Sequence, residues 1–348
     1  MTYRLVRPAL FALDAERSHD LAFRALALPG VVPALRATLG AAIDDPVDCC
    51  GLRFANRVGL AAGLDKDGRA VDAFGAMGFG FLEVGTVTPR AQPGNPKPRL
   101  FRLPARSALI NRFGFNNAGV DALCRRVSTR RWQGVLGVNI GKNADTPTAS
   151  AVDDYVACLR TAASVADYIT INVSSPNTRN LRDLQAAEAL DTLLQAISEV
   201  RAAAAEARGR ALPLLLKVAP DLDDAERADI ASAVARHGVD GVIASNTTTD
   251  RSAVAGLSHA DEAGGLSGEP LRKRTAGIVA HWRRLLGPDT GLIAAGGIAG
   301  ADDAHRAISA GADLVQLYTG LIYEGPGVVR RIAATLRDGA TNGDSNAF

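Results

Sequence analysis

Two features of this chain place residues where they could do chemistry: hydroxyls and carboxamides gathered at the end of an apolar run, and a lysine enclosed by apolar neighbours. The run Ile169 to Leu181 reads I-T-I-N-V-S-S-P-N-T-R-N-L. Its apolar part, which begins at Tyr168, gives way to Asn172, Ser174, Ser175, Asn177 and Thr178, with Pro176 setting a turn. A buried parallel strand reads as a nearly continuous apolar run, so polar groups crowded at its C-terminal end suggest side chains aimed at a ligand. The plainer reading of the same letters is an Asn/Ser/Pro turn without chemistry. Lys217 is bracketed by Leu214, Leu215, Leu216 and Val218. An unpaired ammonium buried there is strongly unfavourable, so an anionic ligand or a structural carboxylate must accompany it.

Seven further segments end in the same way. Val58 to Ala62 runs into Gly63-Leu64-Asp65-Lys66, Phe81 to Gly85 into Thr86, Val135 to Val138 into Asn139, and Leu214 to Leu216 into Lys217. Val242 to Ala244 runs into Ser245-Asn246-Thr247, Leu292 to Ala295 into Gly296-Gly297, and Leu314 to Leu317 into Tyr318-Thr319-Gly320. Between them lie Ala- and Leu-rich stretches such as Ala186 to Ala207 and Ala225 to His237, which have the character of helices. Eight β-α units predict a (β/α)8 TIM barrel with its active site at the C-terminal ends of the strands.

The chain has 348 residues, 47% apolar and 22% charged, enough for a barrel of about 250 residues with an N-terminal extension and inserted loops. A net charge of +2 without a dense basic run argues against nucleic acid as a partner. Cys49, Cys50, Cys124 and Cys158 lack CxxC or zinc spacing and there is no HExxH, so reduced thiols and no metal site are expected. Neither a Walker motif nor a GxGxxG after a strand is present. Pro89 to Pro98 marks a long loop after the second strand, and Asn342 to Phe348 a frayed tail.

The first forty residues differ in character. Tyr3, Val6, Leu10 and Leu13 fall on one helical face, and after Asp14 a second helix gathers Leu21, Ala22, Ala25, Leu26 and Leu28. Arg4, Arg7, Arg17, Arg24 and Arg36 interrupt the apolar runs, leaving them short of the roughly 18 to 20 residues that span a bilayer and unlike a cleavable signal. The pattern suits a helical pair lying on a membrane surface and equally a cap packed on the barrel. We divide the chain into this segment, 1–40, and a catalytic barrel, 41–340.

The glycines after the seventh and eighth strands stand where barrels commonly hold a phosphate on backbone N–H groups, and Gly264-Gly265-Leu266-Ser267-Gly268 reads as a loop that could approach a flat ring. Asn111-Arg112-Phe113-Gly114-Phe115-Asn116-Asn117, with Asn172, Asn177 and Asn246-Thr247, brings several carboxamides to one mouth. Carboxamides donate and accept at once, which suits a planar, imide-bearing, carboxylated small molecule.

These residues carry a resemblance. A-A-G-L-D-K-D (61–67), E-V-G-T-V-T-P (83–89), P-R-L-F-R-L-P (98–104), N-R-F-G-F-N-N (111–117), N-V-S-S-P-N-T (172–178), S-N-T-T (245–248) and G-L-S-G (265–268) occur in order. From the N-terminal helices to Thr319 the chain resembles class 2 dihydroorotate dehydrogenases, the membrane-associated, quinone-reducing flavoenzymes of pyrimidine synthesis. The resemblance implies FMN held by Ala62, Gly63, Leu64, Asp65, Lys66, Thr86, Asn139, Asn172, Lys217, Ser245, Gly268, Gly297, Tyr318 and Thr319. It implies dihydroorotate held by Lys66, Asn111, Arg112, Phe113, Gly114, Phe115, Asn172, Asn177, Asn246 and Thr247. Ser175 would be the base that takes the C5 proton while a hydride passes from C6 to the flavin; Lys217 would stabilise the charge of reduced FMN, and Thr178 or a water would relay the proton. Soluble class 1 relatives use cysteine as the base, and no cysteine follows Cys158 here. His19, Arg102 and Tyr318 would line a quinone entrance using ubiquinone or menaquinone, on a monomer bound peripherally to the cytoplasmic face of the cell inner membrane.

Two rival functions follow from the same features. A tRNA dihydrouridine synthase would share the FMN barrel but requires a basic RNA-binding surface, which the charge disfavours. A membrane-binding module without catalysis would carry no flavin, so flavin absorbance separates it from both enzymes.

Overall fold

A computed structural model describes residues 2–343 of the chain. Its centre is a closed barrel of eight parallel strands: β1 (Val58–Leu60), β2 (Phe81–Val87), β3 (Val135–Ile140), β4 (Tyr168–Asn172), β5 (Leu214–Val218), β6 (Gly241–Ala244), β7 (Gly291–Ala295) and β8 (Leu314–Leu317). Each strand pairs with its neighbour in sequence, and β8 closes on β1 through Val315↔Val58 and Leu317↔Leu60. All eight expected strands are present. Sequence signals also set the helices between them. Leu190, Leu193, Leu194 and Ile197 bury one face of Ala187–Arg208. A reciprocal capping box between Asp223 and Glu226 starts Asp224–Arg236.

Alternation along the strands layers the barrel interior. Phe81, Tyr168, Leu215, Ile243, Ile293 and Leu314 form an apolar plug with Phe54, whose ring stands edge-on to Phe81 at 5.1 Å. Phe54 lies on a short hairpin, Val47–Cys49 with Leu52–Phe54, next to the plug. Gly137 makes room for Tyr168, because a Cβ there would lie 2.0 Å from the phenol ring. Two residues further along the strands come Glu83, Asn139, Thr170, Lys217 and Gln316, all buried. The interior therefore changes from apolar to polar within one layer.

Above the mouth, Leu100–Leu103 and Ala108–Asn111 form an antiparallel hairpin after the Pro-rich loop. Gly265–Gly268 adds to it as a third strand, paired Gly265↔Asn111 through Gly268↔Ala108. This corrects the expectation of a loop there: the glycines do approach a neighbour closely, but that neighbour is a strand more than 150 residues earlier in the chain.

The N-terminal segment forms three helices rather than two, α1 (Thr2–Ala12), α2 (Ala15–Leu26) and α3 (Val31–Leu39). Asp14 caps α2 by accepting from the N–H groups of Glu16 and Arg17. The expected apolar faces are split, since Val6, Leu13, Leu21 and Leu28 are exposed whereas Phe23 is buried against Phe74. At the other end, the helix Gly327–Gly343 includes Asn342 and Gly343, so the expected tail is helical at its start; residues 344–348 lie outside the described residues.

Candidate active site

The strand ends and the three-stranded flap enclose a cleft that, with its open mouth, spans about 940 Å³. From the strand ends come Thr86 and Asn172, and from the βα loops Ala62, Gly63, Lys66, Ser175 and Asn177; from the flap and its loop come Asn111, Phe113, Gly114, Phe115 and Gly268. Lys217, Ser245, Asn246, Thr247, Gly297, Tyr318 and Thr319 complete the expected set in this cleft. The glycine turn after β7 is tightly built. A Cβ on Gly297 would lie 2.3 Å from the Arg272 nitrogen, and Thr275 Oγ1 fixes the turn by donating to the Gly296 carbonyl at 2.8 Å.

Other expected residues lie elsewhere. Asp65 is buried and its carboxylate accepts from the Arg69 and Ala70 N–H groups at 2.7 and 2.8 Å, so it shapes the turn that presents Lys66; Leu64 is in the core. Asn139 lies beneath the cleft. Arg112 is paired with Glu262 at 2.6 Å and lies over the Phe101 ring, outside the cleft lining, because the flap brings that carboxylate to it. Thr178 is buried outside the cleft lining, with its hydroxyl unpartnered. His19 and Arg102 belong to the seam with the N-terminal helices: His19 stacks on Phe23 at 4.5 Å, and Arg102 donates to the carbonyls of Phe11 and Leu13 at 3.1 and 2.8 Å. Tyr318 joins the two regions, lining the cleft and packing against the apolar cluster of Leu100, Leu109, Phe113 and Tyr323 under α1 and α2.

Glu83 and Gln316 escaped sequence analysis. Glu83 is fully buried, 3.8 Å from Lys217 Nζ. It accepts hydrogen bonds from Asn139 Nδ2 at 2.8 Å, Gln316 Nε2 at 2.9 Å, Tyr168 Oη at 3.2 Å and Thr170 Oγ1 at 3.2 Å. Their signal was present in the sequence, for each is a lone polar residue inside an apolar strand. Lys217 thus has a structural carboxylate and also lines the cleft. Burial pushes its ammonium below the ordinary lysine range, and Glu83 opposes that shift.

From this floor the bonds continue upward. Asn139 Oδ1 accepts from Thr86 Oγ1 at 2.5 Å and from Asn172 Nδ2 at 3.1 Å; Asn172 Oδ1 accepts from the Ser174 hydroxyl at 3.1 Å, and Ser174 Oγ from Asn246 Nδ2 at 2.9 Å. Ser175 Oγ accepts from the Asn177 N–H at 3.2 Å. Several buried acceptors of the cleft are unpartnered: Asn177 Oδ1, Thr247 Oγ1 and Gln316 Oε1. Lys66 Nζ lies 3.9 Å from the Phe113 ring centroid, and burial, with Arg99 nearby, pushes its pKa down to about 8.

A closed (β/α)8 barrel whose mouth holds a buried lysine, Lys217, a half-buried one, Lys66, converging carboxamides and a glycine-built turn is an enzyme fold arranged around a polar, anionic small molecule. Comparison with known proteins identifies its family. The family profile described as Dihydroorotate dehydrogenase matches residues 46–339. Proteins named dihydroorotate dehydrogenase (quinone) from Acidovorax ebreus and Thiobacillus denitrificans are 54% and 55% identical, covering 97% of this chain and 99% of each relative. A crystal structure of the Eimeria tenella protein with ferulenol superposes with a TM-score of 0.84 at 38% identity, covering 95% of this chain and 92% of that one. The chain belongs to the dihydroorotate dehydrogenase family and is an oxidoreductase of its quinone-dependent branch.

Lys66 yields a test that needs no ligand. With a depressed pKa, its folded form binds fewer protons than the unfolded chain between about pH 8 and the ordinary lysine pKa near 10.4, so stability rises with pH across that window. Lys66→Met should therefore raise the thermal midpoint of the ligand-free protein at pH 7, with the gain shrinking above pH 8. Thermal denaturation from pH 6.5 to 10 measures both; a lower midpoint at pH 7 would mean that the Phe113 ring more than offsets the burial.

Proposed function

We propose that this cleft holds FMN and oxidises (S)-dihydroorotate to orotate, with a membrane quinone as final electron acceptor, in de novo UMP biosynthesis. The observation that carries the reading is the set of unpartnered acceptors on Asn177, Thr247 and Gln316 in one cleft with Lys66 and Lys217, since buried polar groups without partners call for a polar ligand. The residues fit the cofactor. Thr86, Asn172, Lys217 and Ser245 would hold its ring, with Asn139 supporting Thr86 and Asn172 from below. Gly268, Gly297, Tyr318 and Thr319 would hold its phosphate, where the glycine turn leaves no space for a side chain. FMN, when bound, supplies the hydride acceptor and carries the electrons onward.

The remaining chemistry belongs to the chain. Lys66 offers positive charge to the substrate carboxylate, while Asn111, Asn177, Asn246 and Thr247 match the donors and acceptors of the imide ring. Ser175 takes the C5 proton, and the Asn177 N–H directed at its Oγ supports charge gathering on that oxygen. Thr178 Oγ1 has no hydrogen bond to Ser175, so the relay we propose runs through a water in the loop. Lys217 places positive charge at the cofactor end of the cleft.

The extension suits a membrane surface. Leu5, Leu21 and Leu28 are 80%, 48% and 60% exposed, so α1, α2 and the turn after α2 present apolar side chains outward. No single helix among the described residues is long and apolar enough to cross a membrane. We infer that the segment lies peripherally on the cytoplasmic leaflet and that quinone enters along the seam of His19, Arg102 and Tyr318. The extension is also tied to the barrel: Arg99, buried, pairs with Glu16 of α2 at 2.8 Å.

Ser175→Ala should retain flavin but slow its reduction by dihydroorotate by about 100-fold or more, and Ser175→Cys should be less impaired than Ala because a thiol ionises more readily. Stopped-flow reduction measures this; an Ala variant working at the parent rate would remove Ser175 from the mechanism. Removing the whole extension would strand Arg99, so point changes are the sharper probe of the membrane face. Leu5→Ser, Leu21→Ser and Leu28→Ser combined should lower co-sedimentation with anionic vesicles and electron transfer to a long-chain quinone in lipid. Turnover with a water-soluble dye should be unchanged. Equal quinone and dye rates, with vesicle binding intact, would refute the membrane assignment.

A further inference from the structure

We propose that Glu83 is a positioning residue that offsets the charge of Lys217 and sets the direction of the hydrogen bonds beneath the cleft, so that Gln316 presents an acceptor to the cofactor. The proposal rests on the FMN reading above.

The geometry is specific. Four side-chain donors and one ammonium face this fully buried carboxylate: Tyr168, Thr170 and Gln316 donate to Oε2, while Asn139 donates to Oε1 and the Lys217 ammonium stands 3.8 Å from it. Only the NH₂ end of a carboxamide can donate to it, so Glu83 decides which way both Asn139 and Gln316 are turned. Asn139 must then direct its oxygen upward, where it accepts from Thr86 and Asn172, and the ordering passes through Asn172 and Ser174 to Asn246. Gln316 donates its amide nitrogen to Glu83 and lines the cleft, and its oxygen is buried without a partner. An orphaned acceptor there suits an N–H of the bound ring. Without Glu83 the Lys217 ammonium would act on the cofactor unopposed, so Glu83 makes the site less favourable to a reduced, anionic flavin than lysine alone would make it.

Three readouts test this on the full-length purified protein. The chain has five lysines, few enough to resolve by ¹³Cε-lysine NMR, with Lys217→Met identifying its signal. Glu83→Gln should move the deprotonation midpoint of Lys217 down by about a pH unit or more, and Glu83→Asp should restore part of the shift. An unmoved or raised midpoint would overturn the proposal. If Glu83→Gln does not fold, the double variant with Lys217→Met should fold again because no unpaired charge remains, and a double variant that also fails would overturn it. In the flavin-loaded protein, Glu83→Gln should shift the midpoint potential positive and Lys217→Met negative; a merely structural loss would not give opposite signs, and shifts of one sign would overturn the charge-setting role. Gln316→Met should weaken flavin retention about tenfold, the scale of one buried hydrogen bond; unchanged retention would overturn the Gln316 contact. A flavin-free protein whose Lys217 midpoint still responds to Glu83 would refute the FMN reading while supporting the coupling of the two residues.

Discussion

Water cannot screen a charge inside a closed barrel, so a lysine and a glutamate in the same interior layer must answer for one another. Glu83 and Lys217 do so at 3.8 Å, just above a plug of aromatic and aliphatic side chains. The plug keeps solvent from the lower face of the pair, and the donors Asn139, Tyr168, Thr170 and Gln316 complete the carboxylate's surroundings. Because those donors sit on β3, β4 and β8, the buried acid also ties neighbouring strands into one register. The orientation of every carboxamide between this floor and Asn246 follows from it.

A second buried pair plays the corresponding part outside the barrel. Glu16 on α2 pairs with Arg99, which also donates to the carbonyls of Pro93 and Asn95, and Lys97 lies 3.1 Å from the same carboxylate. Burial opposes the charge on Glu16, yet the hydrogen bonds from Arg99 and Lys97 hold its carboxyl below the usual range. The Pro-rich loop, the flap and the helical extension are thereby fastened at one point. Arg7 adds a bond to the Tyr323 carbonyl at 2.8 Å, next to the cluster against which Tyr318 packs. The reading of the extension as a cap and its reading as a membrane surface are therefore compatible: one side is welded to the barrel while Leu5, Leu21 and Leu28 face outward.

The barrel was legible because each strand is an apolar run that stops at polar residues, and that boundary is local in sequence. What depended on distant partners was not. Gly265–Gly268 became a strand because Asn111 to Ala108 lies beside it, and Arg112 left the cleft because Glu262 captured it. The helical period of the extension was legible, but which side meets the barrel was not, because in α2 it is decided by the contacts of Glu16 with Arg99 and Phe23 with Phe74. Glu83 and Gln316 carry a signal of position alone, since strand alternation puts each polar side chain inside the barrel, one layer below the cleft.

One cleft both takes electrons from dihydroorotate and delivers them to a quinone in the reading proposed above. Its most direct test is the visible spectrum of the purified full-length protein under anaerobic conditions, recorded after dihydroorotate and again after a quinone in detergent. The account predicts flavin absorbance that bleaches with the first addition and returns with the second. A colourless protein, or a flavin spectrum indifferent to dihydroorotate, would contradict it.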